Sequence, residues 1–126
     1  TAERFAEAGG NVHRERFAEE VLPCIGGKEP FSYRIFDCSL MDYNGRKEIG
    51  TAPVRIVEGS YSQHPALGRY ADITVFAHVE AELQMTRIRE RNGEKMAEMF
   101  RTRWIPLEEA YFAACDVAAK ADILLK

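Results

Sequence analysis

The sequence predicts an α/β fold made of parallel β-α-β units, and three observations carry that prediction. Val54-Arg55-Ile56-Val57 is a short β-branched run that ends abruptly at Glu58 and Gly59, as a buried parallel strand ends at the carboxyl edge of a sheet. Ile73-Thr74-Val75-Phe76-Ala77 is a second such run, and Ala121-Asp122-Ile123-Leu124-Leu125 is a third, shorter one. Helical stretches lie between them, so the order is strand, helix, strand, helix, strand.

Taken in order, residues 1–10 carry no clear pattern and close on Gly9-Gly10. Asn11 is a good N-cap for an amphipathic helix running to Leu22, with Val12, Phe17, Val21 and Leu22 on one face. Pro23 and Gly26-Gly27 end it. Phe31–Asp37 alternates and reads as a strand; Asn44-Gly45 is a turn signal; Lys47-Glu48-Ile49 returns as the partner. Residues 31–50 therefore form a hairpin excursion. After the 54–57 strand, Pro65 suits the first turn of a short helix over 65–70. A helix over 80–91 turns Leu83 and Ile88 inward and is broken by Asn92-Gly93. Helices over 94–103 and 107–119 follow, separated by Pro106, and Trp104, Tyr111 and Phe112 pack the last of them on the sheet.

The 126 residues suffice for one domain and one modest core. A net charge of −3, with no basic face, argues against a general nucleic-acid binder. No apolar run approaches the roughly 20 residues that span a bilayer. The amino end lacks the apolar core of a signal peptide. Cys24, Cys38 and Cys115 are odd in number, widely spaced and without a CxxC, which favours reduced thiols and a cytoplasmic setting over zinc.

Two groups carry the chemical reading. Glu58, at a strand end, either faces Mg²⁺ or its water, or caps the following turn. Arg87 and Arg91 share a helical face, with Arg89 pointing elsewhere, and Asn92-Gly93 supplies a hinge. Guanidinium forks bind phosphate oxygens bidentately; the alternative is a solvated face beside Glu90 and Glu94. Tyr61 and His64, just past Glu58, either touch a substrate ring or ribose or simply pack. Tyr33 and Arg34 on the hairpin either stack and hydrogen-bond a base or serve packing. Gly26-Gly27-Lys28-Glu29 is not a phosphate loop: Leu22 stands where the pattern needs Gly, and Glu29 where it needs Ser or Thr.

These residues, in this order, resemble the uridine kinase-like branch of the P-loop kinases. The likeness rests on Asn11–Phe17, Pro30-Phe31-Ser32-Tyr33-Arg34, Val57–Pro65, Arg87–Gly93 and Trp104–Phe112, and covers nearly the whole chain. It implies a P-loop NTPase-like three-layer α/β fold with a parallel sheet, incomplete at its N-terminal side, as one partial domain over 1–126 with a hairpin near 31–50 and a lid near 87–103. It implies ATP- and Mg²⁺-dependent phosphorylation of a nucleoside hydroxyl, with a homo-oligomer as a common arrangement. By the likeness, Glu58 is the carboxylate near the metal, directly or through water; Arg87, Arg91 and Arg89 are lid arginines; Tyr33 is the aromatic on the nucleoside side. The family's hairpin histidine has no match, since Cys38, Ser39 and Leu40 occupy that region, so uridine itself is not implied as substrate. The family's phosphate loop also has no counterpart, so the expectation is the rear part of such a kinase, inactive alone. The alternatives are a non-catalytic nucleotide-binding or protein-interaction module, or a kinase of another small hydroxyl substrate, as in phosphoribulokinase or pantothenate kinase.

Overall fold

The computed structural model describes residues 2–126; Thr1 lies outside them. The chain folds as a mixture of helices and small sheets. The antiparallel pair is β1 (Phe31–Asp37) with β2 (Asp42–Ile49). The parallel pair is β3 (Val75–Ala77) with β4 (Ile123–Leu125), in register Val75 to Ile123. Between β3 and β4 runs the crossover that a parallel pair requires: α4 (Ala81–Met99), a π-helical turn (Phe100–Trp104), α5 (Ile105–Cys115) and α6 (Val117–Lys120). Among the described residues no helix is long and apolar enough to cross a membrane.

The amino-terminal region is more ordered than its sequence predicts. Ala2–Ala6 forms helix α1. Arg4 then clips it down, donating from Nε to the Gly10 carbonyl (3.2 Å) and from Nη2 to the Val12 carbonyl (3.1 Å) and the Glu15 carboxylate (2.8 Å). Helix α2 spans only Arg14–Glu20, with His13 rather than Asn11 at its N-cap. The Asn11 amide instead reaches Tyr61. Pro23 does not end this region but sits in the first turn of α3 (Leu22–Ile25), where its missing N–H costs no bond.

The hairpin forms over the expected residues but reverses elsewhere. Asn44-Gly45 lies inside β2, where the register shifts between Arg34 and Phe36 and Gly45 takes φ +85°. This is bulge geometry. The reversal is at 38–41, held by Asp37 Oδ1, which accepts from the Ser39 N–H (2.8 Å) and hydroxyl (2.5 Å). Asp37 competes successfully because a carboxylate can bond its own backbone two residues on.

The main correction concerns residues 54–57. They form no strand, with a bend at 53–54 and irregular chain after it, and Val54 and Ile56 are 72% and 87% exposed. β-branching favours extended backbone, but a strand needs a neighbour's N–H and C=O groups, and among the described residues β3 pairs with β4 alone. The predicted 65–70 helix shrinks to a 3₁₀ turn, Pro65–Leu67. Leu83, expected inward, is exposed, whereas Ile88 is buried. The break at Asn92-Gly93 is present as a kink, with Gly93 at φ 80°, ψ 170°. Pro106 does not separate two helices: the π turn before it carries the chain directly into α5. A wider turn relieves the clash that a proline ring makes with the carbonyl four residues back.

Among the described residues, the buried hydrophobic side chains are Val21, Leu67, Ile88, Ala97, Tyr111 and Val117. Tyr111 is the centre of this small core. Its ring stacks on His64 (5.7 Å, 7° between planes) and meets Tyr61 (4.7 Å) and Phe112 (5.3 Å). Phe112 in turn packs edge-on against Phe76 of β3 (5.0 Å), which ties α5 to the parallel pair.

Candidate functional site

The loop after Glu58 is built by short backbone bonds. The Ser62 N–H donates to the Gly59 carbonyl (3.1 Å) and the His64 N–H to the Tyr61 carbonyl (3.2 Å). These turns carry the chain from Glu58 to Tyr61 and point Tyr61 into an open cavity of about 320 Å³. The cavity is lined by Asn11, Val12, Tyr61, Phe100, Trp104 and Glu108. Two of its walls, Phe100 and Trp104, sit at the two ends of the π turn. Such turns widen a helix locally and occur often at functional sites. Arg103 braces this wall, its guanidinium 4.9 Å from the Trp104 ring and 5.2 Å from Phe5 of α1.

The polar groups of the cavity are few and directed. Asn11 Nδ2 donates to the Tyr61 hydroxyl oxygen (3.1 Å), which leaves the Tyr61 O–H free to donate and the Asn11 carbonyl oxygen free to accept. Burial pushes the Tyr61 phenol upward, so it stays protonated and remains a donor at neutral pH. Glu108, half-buried, adds an acceptor. Apolar walls with one donor and two acceptors suit a planar, partly polar small molecule.

The residues singled out in the sequence have diverse placements. Glu58 is exposed, and no hydrogen bond or ion pair engages its carboxylate among the described residues. Arg87, Arg89 and Arg91 are exposed on α4. Arg89 pairs with Glu94 across the Gly93 kink (2.9 Å), and Arg91 bonds the Asn92 side chain (2.8 Å). Arg87 makes no ion pair among the described residues. No hydrogen bond or ion pair joins Glu58 to this face. Tyr33 lies half-buried on β1, opposite Lys47.

Arg34 and His64 are bound up in the fold itself. Arg34 donates from its backbone N–H to Glu20 Oε2 (2.8 Å) and from Nε to Oε1 (2.8 Å), and its guanidinium lies 4.2 Å over the Tyr43 ring. His64 is buried; its Nδ1 accepts from the Ala66 N–H (3.1 Å), so Nε2 carries the proton and donates to the Ala8 carbonyl (3.2 Å).

Sequence reasoning missed Asn11, Val12, Phe100, Trp104 and Glu108 as neighbours. Only Phe100 and Trp104, four apart and just before Pro106, held a local signal. Among the described residues no group of three metal-ligating side chains converges. Comparison of the chain with protein-family models, with curated proteins and with solved structures returns no match.

Proposed function

We propose that this chain contributes the acceptor pocket and lid of a uridine kinase-like phosphotransferase, which moves a phosphoryl group from ATP to a hydroxyl of a nucleoside. The observation that carries the reading is the cavity walled by Tyr61 on one side and by Phe100 and Trp104 on the other. It joins the loop that follows Glu58 to the end of the 87–103 segment. A base fits between the aromatic walls, and its polar edge or the ribose hydroxyls meet Tyr61, Asn11 and Glu108.

The fold that goes with this reading is the P-loop NTPase-like three-layer arrangement, of which β3, β4 and the crossover would form one side. Mg²⁺ suits Glu58, because this ion keeps most of its waters and takes one or two carboxylates together with substrate phosphates. A solitary, exposed, unengaged carboxylate fits that role. Held by Glu58 and its own waters, Mg²⁺ would supply charge neutralisation on the transferring group. The chain's own residues then bind and position. The cavity orients the hydroxyl, and Arg87 and Arg91, on a segment hinged at Gly93, supply charge to the phosphate oxygens. Arg89 is available only when its bond to Glu94 opens.

Trp104 is the single tryptophan of the sequence and lines the cavity, so its fluorescence reports occupancy directly. Titration with a panel of nucleosides should shift Trp104 emission saturably, and Tyr61→Ala should weaken the apparent affinity at least several-fold. The same panel with ATP and Mg²⁺ reads phosphoryl transfer by the whole protein. A flat fluorescence response to every nucleoside up to millimolar concentration would remove the proposed acceptor. A response without turnover in the whole protein would leave the second reading, a binding module, which the exposed Val54 and Ile56 favour.

A further inference from the structure

Glu108 differs from the other polar groups of the cavity in one respect: its carboxylate can only accept. Tyr61 and Asn11 each carry both a donor and an acceptor, and they have already adapted to one another through the 3.1 Å bond from Asn11 Nδ2 to the Tyr61 oxygen. An ionised carboxylate has two oxygens and no N–H or O–H. Glu108 stands in the first turn of α5, four residues after Trp104, so it continues the wall that the indole begins. It is half-buried, and no hydrogen bond or ion pair engages its carboxylate among the described residues. Burial raises the Tyr61 phenol and the Glu108 charge adds to that push, which puts carboxylate and hydroxyl within electrostatic reach of each other. None of the lining residues is Lys or Arg, and the neighbouring Arg103 is stacked on the Trp104 and Phe5 rings. The lining therefore carries a negative charge between aromatic walls with no cation to offset it.

Resting on the nucleoside reading above, we propose that Glu108 selects the base: the cavity takes a nucleoside whose base edge bears an exocyclic amino group and disfavours the oxo counterpart. The amino group offers its two N–H bonds to Glu108 and to the Asn11 carbonyl oxygen, and the ring nitrogen beside it accepts from the Tyr61 O–H. Exchange of that amino group for a carbonyl replaces two N–H bonds with lone pairs. Tyr61 and Asn11 can reverse their roles to meet the change, whereas Glu108 has no donor to turn. The ring N–H that an oxo base keeps lies beside the new carbonyl, whose lone pairs then face the carboxylate and leave it short of a donor. A site built to bind an N–H in this way rejects the analogue that lacks it more strongly than an apolar wall could.

Isothermal titration calorimetry of the whole protein with two matched pairs reads the selection: cytidine against uridine, and adenosine against inosine. The amino member of at least one pair should bind about tenfold tighter than its oxo partner or better, and the pair that shows the preference separates a pyrimidine site from a purine site. Glu108→Gln should bring the two affinities of that pair to within about threefold, because a carboxamide can turn a donor to a carbonyl as well as an acceptor to an amine. Should that variant disturb the far-UV spectrum, Glu108→Ala takes its place, with the same loss of preference expected. Equal affinities in the unaltered protein, or tighter binding of the oxo members, overturn the selection and leave nucleoside binding standing, as when the ribose rather than the base meets these groups. A preference that survives the change at Glu108 overturns the assignment to this residue. Absence of binding by all four nucleosides overturns both this inference and the nucleoside reading on which it rests.

Discussion

Arg55 is the side chain whose local role most exceeds its sequence signal. Nothing in Val54-Arg55-Ile56-Val57 marks it, yet it joins the end of α3, the approach to β1 and the end of β2 through five carbonyls, with its guanidinium 5.2 Å from the Phe31 ring. A guanidinium has five donors in a rigid fork, so one residue closes what would otherwise be several unsatisfied carbonyls. Arg55→Ala should lower stability by roughly 2–3 kcal/mol, since bonds to a charged donor are lost together. Urea unfolding followed by circular dichroism measures this, and Arg55→Lys should recover little because an ammonium lacks the fork.

Glu20 makes a different, pH-dependent argument at the same scale. The Arg34 guanidinium, then the Arg34 backbone N–H, then Arg16, hold its carboxyl down from 4.5 to about 2. A carboxyl lowered on folding stabilises the fold fully above its unfolded value and loses that contribution as pH falls towards the folded value. Stability gained through Glu20 should therefore fade between about pH 4.5 and pH 2. Melting temperatures of the unaltered protein and of Glu20→Gln should differ most near neutrality and converge across this window. Parallel curves at all pH values would contradict the assignment. None of this was legible beforehand, because Glu20 and Arg34 meet only after the hairpin folds back on α2.

Among the elements, those whose signal is local match the sequence. Alternation gave β1, and Asn92-Gly93 gave the kink, since φ 80° with ψ 170° is a conformation that a side chain strains. An added Cβ at Gly93 would meet nothing within 4 Å, so the cost of Gly93→Ala is backbone strain alone, about 1–3 kcal/mol. The substitution should lower the melting temperature or, if the chain escapes into a straight helix, raise helical ellipticity; an unchanged melt and spectrum would contradict the strained kink. Gly9 differs: at φ +75° its Cβ would also stand 2.7 Å from His64 Cδ2 and 3.0 Å from Tyr111 Cδ2, against the centre of the core. Elements whose existence depends on distant partners were not legible. Residues 54–57 have the composition of a buried strand, but composition cannot supply the neighbour. The π turn answers to Pro106 and to the walls of the cavity, and no periodicity announces it.

For the molecule as a whole, the mixed helix-and-strand class and the parallel β3–β4 pair follow from the order of apolar runs, whereas the extent of the sheet does not. An unfolded chain of 14.3 kDa exposes about 20,700 Å², so folding to 9184 Å² removes only about 56% of it, less than the roughly 60% typical of a domain half this size. The slope of urea unfolding scales with the area exposed. The chain should therefore unfold with a shallower urea dependence than an ordinary domain of 126 residues. A slope as steep as that of an ordinary domain of this size would contradict the small buried area.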